Sequence, residues 1–286
     1  MTNNKYIIHF LKFCKKFLFL CLRNLDKITN KQNNNNYVLF FNFINLLLLK
    51  NQKIFFKNNA FYLKSNNKDE NLWMFSQKKI GTMAYRNGLD KRKELLEKVY
   101  LLKNIIYEEH DTIIDCGANN GDFYLCFNKK INYIGIEPSP IVFNNLKHNI
   151  KNQKLINKGL WYNDDKKDFY LSDNFGDSSI IEFNNYEKKI QIECCTLDSI
   201  ISNKDKIKLI KIEAEGAEPE VLFGLKKEIN KVEYIVIDVG FERGKDQLST
   251  FKECTNHLLK NNFEIIDFRL NRFTVMYKNI LFKQLN

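Results

Sequence analysis

The sequence lacks the patterns that are typical of membrane-spanning, disulfide-stabilised and metal-binding proteins. No apolar run reaches the ~20 residues that a helix needs to cross a bilayer, because lysines interrupt residues 6–22 and asparagines interrupt residues 37–49. The seven cysteines are an odd number and include no C-x-x-C motif, so we expect reduced thiols in a cytoplasmic protein and no disulfide framework. The four histidines show no metal-ligand spacing, and no metal site is predicted.

Acidic residues are scarce at the start of the chain. Residues 1–80 hold 14 Lys/Arg and 3 Asp/Glu, a net charge of 14 − 3 = +11, whereas residues 81–286 hold 31 of each, a net charge of 0. We therefore divide the chain into a basic, Asn/Lys/Phe-rich N-terminal extension (1–80) and a neutral domain (81–286). Because the domain itself is neutral, its charge gives no reason to expect a nucleic-acid partner.

The N-terminal extension has two interpretations. Its basic and aromatic residues fit a segment, residues 1–50, that lies on an anionic membrane face and makes the protein peripheral to the membrane. Alternatively, the extension is a helical cap on the domain, or a divergent lead with a biased composition. A signal peptide is not predicted, because its apolar core would be only residues 17–22 and no small-residue cleavage site follows.

Helix-like and strand-like patterns alternate after residue 90. Apolar residues at helical spacing, Leu95, Val99, Leu102 and Ile106, predict a helix over 92–107. Strands are predicted at 112–116, 132–136, 154–160, 168–172, 190–195, 207–213 and 232–239. Helices are predicted at 120–128, 141–150, 197–203, 218–228 and 247–261. Repeated β-α units predict a parallel sheet with helices on both faces, and the tail, 263–268 and 272–277, predicts a closing hairpin.

The strand at 112–116 runs into a tight glycine turn, Gly117-x-x-x-Gly121, and Asp115 precedes the first glycine by two residues. The spacing fits neither the dinucleotide fingerprint nor a P-loop. A carboxylate at this place favours a ligand with positive charge or hydrogen-bond donors, and ligands bind at the carboxyl ends of strands in open α/β sheets. Asn119 in the turn is either a turn former or a ligand contact.

Glu137 follows the next predicted strand, 20 residues after Gly117. An acid at this position can accept hydrogen bonds from a ribose diol. Pro138 and Pro140 end the strand, and Pro140 can start the helix that follows. The two segments together predict a nucleoside-containing ligand at this edge of the sheet.

Asp115-x-Gly117-x-x-x-Gly121 followed by Glu137 resembles the S-adenosylmethionine site of the class I methyltransferases. The T-L-D-S segment within 195–201 and the run K-I-E-A-E-G-A-E at 211–218 are similar to the FkbM family, whose members carry K-I-D-V-E-G-A-E. Glu213 stands where Asp is commoner. The resemblance covers roughly residues 90–279. It implies an α/β fold with a class I methyltransferase Rossmann-like sheet, mostly parallel with an antiparallel last strand, plus an N-terminal helical or irregular extension.

The resemblance implies S-adenosyl-L-methionine as the cofactor, with contacts from Asp115, Gly117, Asn119, Gly121 and Glu137. It implies methylation of a hydroxyl group on a sugar or secondary metabolite, a small-molecule or glycan acceptor and not a nucleic acid. Two alternatives stay open. One is a catalytically inactive, methyltransferase-like binding module tethered through its basic N-terminus. The other is a nucleotide-dependent oxidoreductase, against which the missing third glycine argues.

Three charged residues at the end of the strand 207–213 are the candidates for catalysis: Lys211, Glu213 and Glu215. Alternation would aim all three to the same side if the strand continued that far. A carboxylate whose pKa is raised by a like neighbour could act as a general base. Alternatively, one acid caps the next helix and the other pairs with Lys211.

Two charged or polar loops are candidates for acceptor binding. The loop Gly176-Asp177-Ser178-Ser179 resembles an element that the family carries near its acceptor pocket, and Ser178 and Ser179 are the residues expected to contact the acceptor. Glu242 and Arg243 follow the strand at 232–239 and could bind a hydroxylated or acidic group. The alternatives are a plain turn for the first loop and a charged surface loop for Glu242 and Arg243.

Overall fold

The computed structural model describes residues 33–48, 50–65, 72–172, 177–201 and 206–282. The apolar stretch 6–22 lies outside these residues. It includes residues 17–22, the segment considered as the apolar core of a signal peptide. The strands are β1 (Gln52–Lys57), β2 (Ala60–Ser65), β3 (Trp73–Phe75), β4 (Thr112–Cys116), β5 (Asn132–Ile136), β6 (Lys154–Ile156), β7 (Gly159–Leu160), β8 (Asp165–Leu171), β9 (Lys188–Cys195), β10 (Ile207–Ile212), β11 (Val232–Asp238), β12 (Phe241–Arg243), β13 (Leu248–Ser249), β14 (Phe263–Arg269) and β15 (Thr274–Asn279). The helices are α1 (Asn34–Leu47), α2 (Lys78–Ala84), α3 (Leu89–Val99), α4 (Pro140–Asn149), α5 (Leu197–Ile201), α6 (Glu218–Phe223) and α7 (Phe251–Lys260).

A seven-stranded sheet with the order β14-β15-β11-β10-β4-β5-β6 organises the domain. Five neighbouring strands, from β11 to β6, are parallel, while β15 is antiparallel to both β11 and β14. This confirms the predicted mostly parallel sheet with an antiparallel last strand. The strands β5 and β6 lie on one side of β4, and β10 and β11 lie on the other, so the strand order reverses between β4 and β10. A crevice opens at the carboxyl ends of these two strands, which is where ligands bind in such sheets.

Several predicted boundaries differ from the structure. The strand predicted at 154–160 divides, because β6 stays in the main sheet while β7 joins a separate sheet of order β7-β9-β8. The helix predicted at 120–128 is a short 3-10 helix, Asp122–Cys126, and α6 and α7 are shorter than predicted. The helix predicted at 92–107 ends at Val99, since Leu101 has a left-handed backbone with φ +57. The helical phase is lost there, and Ile106 is 80% exposed.

The described part of the N-terminal extension contains a three-stranded antiparallel sheet, β1-β2-β3, that was not predicted. Its first turn is formed by Asn58 and Asn59, which both have positive φ. A two-residue turn of this kind is typical of hairpins. The inner face of the sheet packs against α1, where the rings of Tyr37 and Phe61 are 5.3 Å apart. Among the described helices, none is both long enough and apolar enough to cross a membrane.

Asparagine side chains cover both edges of this small sheet. On the β1 edge, Asn42 of α1 donates to the carbonyl oxygen of Ile54 (2.9 Å) and accepts from its N–H (2.8 Å). On the β3 edge, Asn149 of α4 donates to the carbonyl oxygen of Met74 (2.9 Å) and accepts from its N–H (2.7 Å). Unpaired strand edges invite association with other chains, so part of the asparagine bias of this chain has a structural role.

We predict that Asn42→Ala and Asn149→Ala each lower the free energy of unfolding by about 1–3 kcal/mol. The first leaves two partly buried backbone groups without this partner, and the second leaves three. Urea unfolding followed by circular dichroism measures the loss. Asn184→Ala is the matched control, since Asn184 makes one exposed hydrogen bond, to the carbonyl oxygen of Lys245. Equal effects in all three variants would contradict a special role for the edge-covering asparagines.

Candidate active site

A cavity of ≈ 370 Å³ opens at the carboxyl ends of β4, β5 and β10. Eight of the residues singled out from the sequence line it: Asp115, Gly117, Asn119, Glu137, Ser178, Lys211, Glu213 and Glu215. Four others that the structure describes do not line it: Gly121, Ser179, Glu242 and Arg243. Helices α2 and α3 complete the wall with Lys79, Ile80, Met83, Ala84, Arg92, Leu96 and Tyr100.

The glycine turn fits tightly between neighbouring elements. The N–H groups of Gly117 and Ala118 both donate to the carbonyl oxygen of Ile136, at 3.0 and 2.9 Å. A Cβ atom at Gly117, where φ is +76, would lie 2.0 Å from the carbonyl oxygen of Glu213. A Cβ atom at Gly121, where φ is +93, would lie 2.8 Å from Ile150. Both glycines are therefore required by the backbone path and by close packing.

Glu137 reaches back from the end of β5 to the glycine turn. One carboxylate oxygen accepts from the N–H of Asn119 (3.0 Å) and the other accepts from the N–H of Ser139 (2.9 Å). Burial raises the pKa of Glu137 to about 7, although both backbone hydrogen bonds act in the opposite direction. Each carboxylate oxygen can accept a further hydrogen bond, and the side chain lines the cavity.

Lys211 is almost completely buried, 3% exposed, behind the glycine turn. Its ammonium lies 3.0 Å from the carboxylate of Asp115 and 3.1 Å from that of Glu213, and it donates to the carbonyl oxygen of Gly117 at 2.8 Å. Burial works against the charge, yet Asp115 and the ring of Tyr100 raise the pKa of Lys211 overall. The ammonium is therefore engaged on several sides and stays charged.

Glu213 is surrounded by hydrogen-bond donors that the sequence analysis did not identify. Besides its contact with Lys211, Glu213 accepts a hydrogen bond from the hydroxyl of Tyr100 and forms an ion pair with Arg272. Arg272 also pairs with Asp238 at the end of β11. Tyr100 and Arg272 come from a helix end and from the β14-β15 turn, far from any motif, so no local sequence signal marks them.

Glu215 does not share the side of Lys211 and Glu213, which corrects the prediction from alternation. The strand ends at Ile212, and Glu215 has a left-handed backbone with φ +50. Burial raises the pKa of Glu215, and the nearby carboxyl groups of Glu242 and Asp177 raise it further. The two candidate acids therefore differ, since Glu213 is paired with cations and Glu215 lies among carboxylates.

The acceptor candidates have different surroundings. Ser178 lines the cavity, while the buried hydroxyl of Ser179 donates to the carbonyl oxygen of Glu215 at 2.7 Å. Gly176 lies outside the described residues. Arg243 forms two hydrogen bonds with the carboxylate of Glu220, at 2.9 and 2.7 Å, and also donates to the carbonyl oxygen of Gly216. Glu242 is outside the cavity wall, and burial raises its pKa to about 7.

Two motif acids stabilise turns. Glu218 is buried and accepts from the N–H groups of Ala214 (2.9 Å) and Gly216 (3.0 Å), which closes the turn that carries Glu215. Asp198, the acid of the T-L-D-S segment, accepts from the backbone N–H groups of residues 226–228. Of the alternative given for Glu213 and Glu215, the structure shows the pairing of Glu213 with Lys211, whereas no described side chain caps the N-terminus of α6.

A second buried ion pair joins the glycine turn to the helices before β4. Asp122 pairs with Arg92 of α3 at 2.6 Å and accepts from the hydroxyl of Tyr85 at 2.5 Å. No motif in the sequence marks these residues. Within the described ranges, no group of His, Cys, Asp and Glu has the arrangement to hold a metal ion.

Residues 115–265, more than half of the chain, match the family model described as Methyltransferase FkbM domain. No curated protein matches the chain in sequence. Ribosomal protein L11 methylase from Lactobacillus delbrueckii subsp. bulgaricus is 12% identical with a TM-score of 0.39, over 66% of this chain and 78% of that one. A Streptococcus mutans protein solved in complex with SAH is 13% identical with a TM-score of 0.35, over 67% and 97%. The M. jannaschii tRNA m1G37 methyltransferase is 14% identical with a TM-score of 0.34, over 80% and 57%. No assignment of function rests on these three structures.

We predict that Gly117→Ala is more destabilising than Gly244→Ala. Both glycines have a left-handed backbone, which costs a residue with a Cβ roughly 1–2 kcal/mol. At Gly244 the nearest atom to an added Cβ is 3.7 Å away, whereas at Gly117 the carbonyl oxygen of Glu213 would be 2.0 Å away. Urea unfolding of both variants measures the difference. Equal losses would show that the turn can move away from β10 at no cost.

Proposed function

The chain belongs to the FkbM family of methyltransferases, and we propose that it methylates a hydroxyl oxygen of a sugar or secondary metabolite. The cofactor is S-adenosyl-L-methionine. We propose residues 81–286 as the methyltransferase domain and residues 1–80 as the N-terminal extension. The cavity between β4, β5 and β10, with Glu137 at its wall, is the observation that carries this proposal.

The cavity fits the cofactor in three respects. Its volume lies in the range of roughly 300–1,000 Å³ that is usual for small-molecule sites. The side-chain oxygen of Asn119 is buried and, among the described residues, has no hydrogen-bond partner. The carboxylate of Glu137 keeps free acceptor positions beside the glycine turn. These groups can accept hydrogen bonds from the amine and diol groups that the cofactor carries.

We assign Glu137 to the ribose hydroxyls, and Asp115, Gly117 and Asn119 to the methionine end of the site. When bound, S-adenosyl-L-methionine supplies a methyl group on a positively charged sulfur for SN2 transfer to the acceptor oxygen. The protein's own contribution is mainly positioning. Gly121 and Lys211 are proposed to support the site without contacting the cofactor. Gly121 lets the glycine turn pack closely on α4, and Lys211 donates hydrogen bonds to the carbonyl oxygens at the start of that turn.

We propose Glu215 as the general base that takes the proton of the acceptor hydroxyl. It lines the cavity, and burial together with the carboxyl groups around it raises its pKa, so its ionised form is a stronger base than an exposed carboxylate. Glu213 is less suited because Lys211, Arg272 and Tyr100 already compensate its charge. We therefore assign Glu213 a positioning role.

The acceptor is proposed to be a hydroxylated small molecule or glycan and not a nucleic acid. Asp177, Ser178 and Glu215 lie together on the cavity wall, where they can accept hydrogen bonds from several hydroxyl groups. Ser179 supports the backbone of Glu215, while Glu242 and Arg243 are expected to support the wall of the site from behind. We further propose a cytoplasmic protein that is peripheral to a membrane.

Titration calorimetry with S-adenosylhomocysteine tests the cofactor site. We expect Glu137→Ala to weaken binding tenfold or more, roughly 1.4 kcal/mol, because the ribose diol loses its acceptor. Glu187→Ala, which removes an exposed acid, is the control and is expected to bind like the wild type. A folded wild type that does not bind would favour the inactive binding module.

The pH dependence of the same titration gives a second readout. The pKa of Glu137 is raised to about 7, while diol hydrogen bonds require the ionised form. Binding is therefore expected to be weaker at pH 6 than at pH 8, and Glu137→Gln is expected to abolish the difference. Because the folded pKa lies above the unfolded one, this group also stabilises the ligand-free fold at low pH and loses that contribution as pH rises toward 7.

Glu213→Gln and Glu215→Gln are expected to act in opposite directions on stability at pH 8. Glu213→Gln leaves Arg272 and Lys211 short of a partner and costs about 3 kcal/mol, whereas Glu215→Gln removes repulsion and raises the free energy of unfolding. With an acceptor found by screening hexoses and deoxyhexoses, Glu215→Gln is expected to lower kcat at least about a hundredfold. Full turnover by both variants would rule out either acid as the base.

A further inference from the structure

Helix α1 presents an apolar face that no described element covers. Its inner side packs on the small sheet through Tyr37 and Phe41. Its outer side carries four large apolar residues that are 69%, 56%, 70% and 51% exposed: Leu39, Phe43, Leu46 and Leu47. Their spacing places them on one stripe of the helix. Helix α1 contains no charged residue at all, whereas the outward face of a helix on a soluble protein is normally polar.

The outer face of the β1-β2 hairpin is basic and aromatic. Lys53 lies directly opposite Lys64 in the strand register, and Phe55 lies opposite Tyr62. Lys57 follows on the same side of β1, and all three lysines are exposed. Like charges placed opposite each other destabilise a pair of strands. The hairpin therefore carries a repulsion that an anionic partner would relieve.

The stripe and the hairpin face belong to one unit of structure. Asn42 and Asn45 of α1 hydrogen-bond the backbone of β1, at Ile54 and Gln52. No acidic residue occurs between Asp26 and Asp69 in the sequence. The unit thus combines exposed aliphatic side chains with three exposed lysines.

The segment before α1 in the sequence is also basic. Residues 1–32 contain seven Lys/Arg and one acidic residue, a net charge of 7 − 1 = +6. Residues 33–65 contain four lysines and no acid, a net charge of +4. Packing the first segment over the second would bring like charges together. Both segments are instead suited to the same anionic surface.

We propose that α1 and the β1-β2 hairpin form a docking surface for an anionic lipid bilayer. The apolar stripe would enter the boundary between headgroups and acyl chains, and Lys53, Lys57 and Lys64 would contact anionic headgroups. A nucleic acid would use the lysines but would give the aliphatic side chains of α1 nothing apolar to bury in. The combination of Leu, Phe and Lys therefore favours a membrane.

This surface deepens the proposed function because it lies one helix away from the cavity. The hydroxyl of Tyr37 on α1 donates to the carbonyl oxygen of Lys78 (2.8 Å) and lies 3.0 Å from the hydroxyl of Thr82, both on α2. The same helix α2 lines the cavity through Ile80 and Met83. A docked molecule would hold its cavity near the membrane, so we expect a hydroxylated acceptor that is attached to a lipid. That acceptor class rests on the proposed function, whereas the docking surface does not.

Flotation of the full chain with vesicles tests the docking surface. We expect binding to phosphatidylcholine vesicles that contain 30% phosphatidylserine, and much weaker binding to pure phosphatidylcholine or at high salt. Leu39→Ser/Phe43→Ser is expected to weaken binding at least about tenfold. Lys53→Glu/Lys64→Glu is expected to weaken it at least about twentyfold, since each basic residue near the surface contributes roughly fivefold.

Leu281→Ser and Lys130→Glu are the matched controls, because both change exposed residues elsewhere on the domain. Circular dichroism and titration with S-adenosylhomocysteine on the same samples show whether fold and cofactor site are intact, so failure of docking is separable from failure of the proposed function. Vesicle binding that both double variants retain would overturn the docking surface. Preference for a single-stranded RNA oligonucleotide over the vesicles would also overturn it.

Discussion

The candidate site depends on one buried ammonium group. Lys211 is inside the sheet, where an unpaired charge would be very unfavourable, and every group that compensates it belongs to the site. Asp115 lies one residue before the end of β4, Glu213 directly follows β10, and the carbonyl oxygens of Cys116 and Gly117 begin the glycine turn. The conformation of the turn and the direction of Glu213 therefore both depend on the ammonium group of Lys211. If either changed, the buried ammonium would lose a compensating partner.

A second constraint closes the site from the N-terminal side. Helix α4 holds the small sheet through Asn149 and holds the glycine turn through the same side chain, which donates to the carbonyl oxygen of Asn120 at 2.8 Å. Asp122, just after the turn, pairs with Arg92 of α3. The family match begins at residue 115, yet the cavity wall includes residues of α2 and α3. The residues before the match are therefore part of the site's architecture.

Strands and motifs whose structure depends on neighbouring residues could be predicted from the sequence. Side-chain positions that depend on tertiary contacts could not. The main sheet followed from apolar runs and turn residues, and the glycine turn from two glycines that no other residue could replace. Alternation could not place Glu215, because the strand ends three residues earlier and the backbone turns left-handed. Tyr100 and Arg272 meet Glu213 only through folding. Asn58 and Asn59 did carry a local signal for a hairpin, but it was hidden in a chain rich in asparagine.

The cavity wall and the docking surface differ in charge. The cavity wall carries five basic and six acidic residues, whereas the described N-terminal residues up to 65 carry lysines and no acid. An anionic surface would attract the second region more strongly than the first, so electrostatics would orient the molecule before any apolar contact forms. Because α2 contacts α1 and also lines the cavity, this orientation would hold the cavity near the surface.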